Sequence, residues 1–278
     1  MQKINKFLFM AIIAVSSAIF IPSCEDNTVD IPDFTLFTAE QDVELGAELD
    51  AEIRANPDQF PILNDAQAEL YLQNMVDNIL KSDEIEYRDV FVYDVTIIHD
   101  DETVNAFCAP GGYIYVYTGL IKFLGNEASL AGVLAHEISH AERRHSSKRI
   151  TKQYGVSVIF GMLLGEDPGL VSEIAANLFA GYYFLENSRD DEYEADEYSF
   201  KYLLDTRWYP AGILEFFDKV DDNRDAGYVE RLLSTHPQPE DRRTKIEDMI
   251  VEYGITSNPG EDQLFSQSYQ QFKATLPQ

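Results

Sequence analysis

The sequence predicts an α+β fold, mostly helical, with one small sheet along a cleft. Three observations carry that expectation. Stretches beginning near residues 38, 66, 130 and 188 repeat their apolar residues at helical spacing. Only 90–98 and 112–118 show the period of two expected of strands. One of the helical stretches also carries His136-Glu-Ile-Ser-His140, an H-E-x-x-H pattern.

At the N-terminus, Met1 to Lys6 carries two lysines and no acid, and Leu8 to Ile21 is an apolar run closed by Pro22-Ser23-Cys24. This is the layout of a signal peptide, and the run is too short to cross a bilayer comfortably. Its ending resembles a bacterial lipobox, which would make residues 1–23 a lipoprotein signal peptide and Cys24 the lipid anchor. Residues 24–37 are acidic and aperiodic and read as a tether. From Thr38 a helix is expected, with Val43, Leu45, Ala47, Leu49 and Ile53 on its apolar side, ending at Asn56-Pro57-Asp58. A second, from Ala66 to Lys81, would turn Leu70, Leu72, Met75, Val76, Ile79 and Leu80 inward.

Val90 to Ile98 and Gly112 to Thr118 read as strands, with a tight turn at Pro110-Gly111-Gly112. Asn105-Ala106-Phe107, just before that turn, can form an edge strand. Beside a metal cleft, such an edge can take an extended peptide by backbone hydrogen bonds. The apolar stretches 156–164 and 170–185 are interrupted by Gly165-Glu166-Asp167-Pro168 and contain Glu173 and Asn177. They read as buried or cleft-lining helices rather than membrane spans.

The chemistry centres on Leu130 to His145. On a helix His136 and His140 lie one turn apart, offset by about 40°, so both imidazoles can close on one metal ion. Glu137, about 100° round from His136, reaches the edge of that face. Leu130, Leu134 and Ile138 form a separate apolar stripe that can bury the helix. A zinc hydrolase needs a third protein ligand and an open position for water. Ser188 to Asp196 offers candidates: Glu192 and Asp196 share a helix face at i, i+4, while spacing alone leaves Glu194 open.

Composition removes other classes. With 49 acidic against 21 basic side chains and a formal charge of −28, the chain would be repelled by nucleic acid. The two cysteines, Cys24 and Cys108, permit a disulfide by count. Lipidation of Cys24 would leave Cys108 as a small buried hydrophobe.

These motifs together resemble the gluzincin family of HtpX and the CAAX prenyl endopeptidases, and within it the soluble periplasmic branch of BepA- and LoiP-like peptidases with their Oma-type mitochondrial relatives. The likeness runs from about residue 38 to about 245. It rests on Val104-Asn-Ala-Phe with Pro-Gly-Gly-Tyr-Ile-Tyr, the helix through His145, Ser188-Arg with Glu192-Tyr-Glu-Ala-Asp196, and Ser234-Thr-His236-Pro237 with Arg242. The metzincin pattern is excluded, because Arg143 and Ser146 stand where it needs glycine and histidine.

The resemblance implies one Zn2+ per chain on His136, His140 and Glu192, with Glu137 as the base. It makes Asp196 the partner of a zinc histidine. His236 would stabilise the transition state or occupy the open metal position, and Arg242 would fix that segment or the cleft. Asn105, Ala106 and Phe107 would bind substrate. His145 recurs in the family but, five residues after His140, is expected to point away from the metal and be structural. The expected fold is zincin-like, with a peptidase domain at 38–255 and a C-terminal tail at 256–278. The expected function is zinc metalloendopeptidase action on unfolded or misassembled envelope proteins, in the periplasm and anchored at the outer membrane. The alternative is an envelope chaperone or assembly factor with a closed, silent zinc site.

Overall fold

The local signals that open each helix are visible as caps. Thr38 and Gln41 form a reciprocal capping box that starts α1 (Ala39–Ala55), and the Asp65 carboxylate accepts from Gln67 N and Ala68 N to start α2 (Ala66–Ile79). The structure, a computed structural model, describes residues 34–163, 165, 169–170, 173–174, 187–223, 227, 232–233, 235–237 and 241–277. The signal peptide, Cys24 and the tether up to residue 33 lie outside the described residues, as does most of 170–185. No helix of the described residues is long and apolar enough to cross a membrane.

The sheet contains β1 (Val95–Ile98), β2 (Ala106–Ala109) and β3 (Tyr113–Tyr117) in the order β1-β3-β2. β2 and β3 form an antiparallel hairpin, with Ala106 opposite Val116, while β1 runs parallel to β3. The hairpin turn uses Gly111 at φ 74° and Gly112 at φ 88°, left-handed values that favour glycine. Among the described residues β2 is an edge strand, as expected. α1 lies against this turn so closely that a Cβ on Gly46 would sit 2.1 Å from Pro110 O.

The short α3 (Thr118–Phe123) leads to α4 (Glu127–Glu142), the centre of the molecule, in which every residue is buried. Asn126 caps it by accepting from Ser129 N at 2.8 Å. α5 (His145–Tyr154) and α6 (Val156–Leu163) follow. α7 (Arg189–Leu203) packs along α4, as does α8 (Ile213–Asp222), and α9 (Asp241–Glu252) closes over α7 and α8. The main core joins α2, the sheet, α4 and these helices, while Leu45, Leu49 and Ile53 of α1 meet Tyr115 and Tyr117 in a second cluster.

Four expectations change. Leu70 is 61% exposed, because it stands about 200° from Leu72 on the helical wheel; Leu72, Met75, Val76 and Ile79 supply the buried stripe. On α1, Ala47 is exposed and Gly46 lies on the buried side instead. The strand expected over 90–98 begins only at Val95. Tyr93 takes a left-handed φ of 50°, and buried Glu142 holds the preceding segment by accepting from Glu86 N at 2.7 Å, Tyr87 N at 3.1 Å and the Tyr93 hydroxyl. Lastly, the segment read as a tail folds back as α10 (Glu261–Leu264) and α11 (Ser266–Lys273), placing Tyr269, Phe272 and Leu276 in the main core.

The contrast between Tyr269 and Leu70 is testable by urea unfolding. Tyr269→Ala should cost about 3–5 kcal/mol, the range for emptying a fully buried aromatic site. Leu70→Ala should stay within about 0.5 kcal/mol. A near-neutral Tyr269→Ala would mean that the C-terminal helices do not belong to the cooperative core.

Candidate metal centre

Two helices supply the centre. α4 contributes His136, Glu137 and His140, and α7, capped by Ser188 and Asp191, contributes Glu192 and Asp196. All five side chains are buried, with Glu192 at 0% exposure. His136 Nε2 and His140 Nε2 stand 3.0 Å apart, His140 Nε2 is 3.3 Å from Glu192 Oε1, and His136 Nε2 is 3.4 Å from Glu192 Oε2. Metal bonds of about 2.0–2.1 Å in a tetrahedron place neighbouring donors about 3.3–3.4 Å apart. The separations, 3.0–3.4 Å with one Glu192 oxygen facing each imidazole, lie near that spacing, so the three side chains could hold a small divalent ion. With His236, four such side chains bring donor atoms within 4.8 Å of one another.

The carboxylates around these donors favour positive charge. Burial alone would lower His136, but Glu192 and Asp196 outweigh it and hold this imidazole up at about 9. Burial likewise works to raise Glu192, yet Arg242, His236 and His136 keep its carboxyl well below the usual range. His140 is pushed well down by burial, against an opposing pull from Glu192. Burial raises Glu137, only partly offset by His236 and His136.

Arg242, the second residue of α9, locks the acidic side of the cluster. Its Nε and Nη2 each donate to Asp196 at 2.6 Å, and its Nη1 lies 2.7 Å from Glu192 Oε2. Asp196 Oδ1 in turn lies 3.0 Å from His136 Nδ1. One guanidinium thus holds a ligand candidate and the carboxylate that orients a second one. His236 sits between the carboxylates, with Nδ1 3.1 Å from Glu192 Oε1 and Nε2 3.6 Å from Glu137 Oε1.

The structure also places residues that the sequence did not assign. Asn187 Nδ2 lies 2.6 Å from Glu192 Oε1, 3.1 Å from His236 Nδ1 and 3.2 Å from His140 Nε2. Its Oδ1 is buried with no partner among the described residues. No pattern in the sequence marks Asn187; its position immediately before the α7 cap is the one available clue. His145 does point away from the donor triangle, as expected, but its Nδ1 meets His140 Nδ1 at 2.7 Å. Glu194, which spacing left open as a ligand, faces His145 Nε2 at 3.0 Å and not the donor triangle.

β2 runs beside α4. Asn105 precedes it, 3% exposed, with its backbone oxygen accepting from Tyr117 N at 3.1 Å. Ala106 joins Leu120, Val133, Ile213, Phe216 and Leu232 around a cavity of about 20 Å³ that reaches His136, Glu137, His236 and Arg242. Phe107 stacks on Tyr115 with ring centres 4.7 Å apart. Cys108 is buried and its thiol pushed well up by burial, in keeping with a small hydrophobe.

Comparison with known proteins finds similar chains. The chain is 26% identical over 248 residues to the beta-barrel assembly-enhancing protease of Escherichia coli K12, covering 80% of this chain and 47% of that protein. It is 31% identical over 153 residues to the mitochondrial metalloendopeptidase OMA1 of Schizosaccharomyces pombe, covering 55% and 45% respectively. It is also 28% identical over 152 residues to metalloprotease YcaL of Escherichia coli K12, covering 53% and 59%. The chain thus spans about half the length of the curated relatives it matches. A family model matches residues 66–250, from the first residue of α2 to within α9 and across every donor described above, so the chain belongs to peptidase family M48.

Proposed function

We propose that the chain is a zinc-dependent metalloendopeptidase that cleaves unfolded or misassembled envelope polypeptides. The observation that carries this reading is the buried triangle of His136, His140 and Glu192, sized for a divalent ion and flanked by Glu137. Two imidazoles and a carboxylate suit zinc by donor type. When bound there, zinc supplies an acidified water and a Lewis acid for the scissile carbonyl.

The remaining chemistry belongs to the protein's own side chains. Glu137 takes the proton of the attacking water and hands it to the leaving amine. Burial, by raising its carboxyl, brings its basicity closer to what proton transfer near neutral pH requires. His236, whose Nε2 lies 3.6 Å from Glu137 Oε1, would donate to the oxygen that gains charge in the transition state. Asp196 keeps His136 facing inward, and Arg242 keeps Glu192 ionised and Asp196 aligned.

The substrate is read as an extended chain added to β2 as a further strand, with Asn105, Ala106 and Phe107 in contact. A fold that must present an edge strand to its substrate selects unfolded segments over folded ones. Similarity to a protein named beta-barrel assembly-enhancing protease supports the envelope role, and a lipid on Cys24 would hold the peptidase domain at the outer membrane on its periplasmic side.

His236 also supports the second reading, a chaperone or assembly factor. Its donor atoms lie close enough to the other three ligand candidates to complete a closed, silent site.

Two variants separate the readings. Glu137→Gln should retain near-stoichiometric zinc while casein-type cleavage falls by about 10²–10⁴-fold; full complementation of a gene deletion by this variant would remove proteolysis as the function. His236→Ala should lower kcat by about 10²–10³-fold with zinc content unchanged if His236 stabilises the transition state. A rise in activity would identify it instead as the cap.

A further inference from the structure

His136 and His140 are held from behind in different ways. His136 Nδ1 meets a carboxylate directly, Asp196 at 3.0 Å, and that carboxylate is only 2% exposed. His140 Nδ1 meets another imidazole, His145, at 2.7 Å, and the far nitrogen of that ring meets Glu194 at 3.0 Å. His145 is 0% exposed while the Glu194 side chain is 38% exposed. The chain of contacts therefore runs from the donor triangle to the surface.

Proton placement follows from the geometry. His140 Nε2 lies in the donor triangle, so its lone pair is needed there and its proton must sit on Nδ1. Two ring nitrogens 2.7 Å apart cannot both carry protons, so His145 Nδ1 accepts. The remaining proton of His145 is then on Nε2, and Glu194 Oε2 accepts it. Asp191 Oδ1, 3.6 Å from the same nitrogen, is too distant to compete.

We propose that Glu194 and His145 form a two-residue relay that fixes the tautomer and ring orientation of His140, making both positioning residues of the metal centre. The backbone supports this arrangement. α4 ends at Glu142, and Arg144 adopts a left-handed φ of 58°, held by its Nε donating to Asp42 at 2.6 Å. That break turns the start of α5 so that His145 returns onto the ring of His140, with ring centres 4.9 Å apart. The relay deepens the peptidase reading and rests on it, since both need His140 to bind metal through Nε2.

The experiment uses the full chain and zinc itself. Five histidines make the imidazole ¹⁵N spectrum tractable. In the zinc-loaded wild type, His140 should be protonated at Nδ1 and His145 at Nε2. His145→Ala should weaken zinc, measured against a competing chelator, by about 10–100-fold, the usual cost of losing such a partner. Glu194→Ala, at a half-exposed position that leaves the core intact, should weaken it too and release the His145 tautomer. Glu194→Gln, which still accepts from Nε2–H, should recover most of the affinity. A His145 protonated at Nδ1 in the wild type, or wild-type zinc affinity in folded Glu194→Ala, overturns the relay. If the wild type binds no zinc, the metal centre and the relay fall together; if it binds zinc tightly and the variants match it, only the relay does.

Discussion

Arg242 is the interaction on which the centre depends. Glu192 and Asp196 are withdrawn from water on one helix face, where two carboxylates side by side need a compensating positive charge. The guanidinium answers both, with two hydrogen bonds to Asp196 and an ion-pair contact to Glu192. Because Arg242 begins α9, the same contact pins α9 onto α7, and through Asp196 and His136 the restraint reaches α4. A buried ion cluster of this kind costs desolvation energy, so its value lies in register: it fixes where a carboxylate ligand stands relative to two imidazoles on another helix.

α4 follows the same rule along its length. Its apolar residues fill the main core, yet three glutamates are buried with them. Each is answered by a different element. Glu127, at the N-terminal end, accepts from Tyr71 at 2.7 Å, from Trp208 Nε1 at 2.8 Å and from Arg207. Glu142, at the other end, receives backbone N–H groups from 86–87 and the Tyr93 hydroxyl. Glu137, between them, faces His236. The two end glutamates make the hydrogen bonds that buried carboxylates require.

Legibility from sequence tracked how local each feature is. His136, Glu137 and His140 were readable because a single helix sets their spacing, and Gly111 and Gly112 because a tight turn needs left-handed residues. Glu192 was readable as a candidate but not separable from Glu194, since both lie on α7 and only packing against α4 shows which one faces the imidazoles. The alternation over 90–94 imitates a strand, but a carboxylate from a distant helix holds the segment as a loop. Leu70 and Tyr269 mislead in opposite directions, one an apolar residue on the wrong side of its helix, the other a core residue in what looks like a polar tail.

His145 shows the limit most clearly. Spacing along an unbroken helix turns it away from the metal face. A left-handed residue at Arg144, stabilised by Asp42 from α1, redirects it onto His140. The sequence by itself determined the periodic elements, their caps, the one-turn spacing of His136 and His140 and the acidic character that disfavours nucleic acid. Each of these depends on neighbours a few residues away. The tertiary structure alone decided which carboxylate faces the imidazoles, that Asn187 reaches them and Arg242 their carboxylates, and that Glu194 meets His145 behind His140. Those contacts span about fifty residues of chain, and they are selected by the need to pair buried charge, a condition that exists only once the helices have packed.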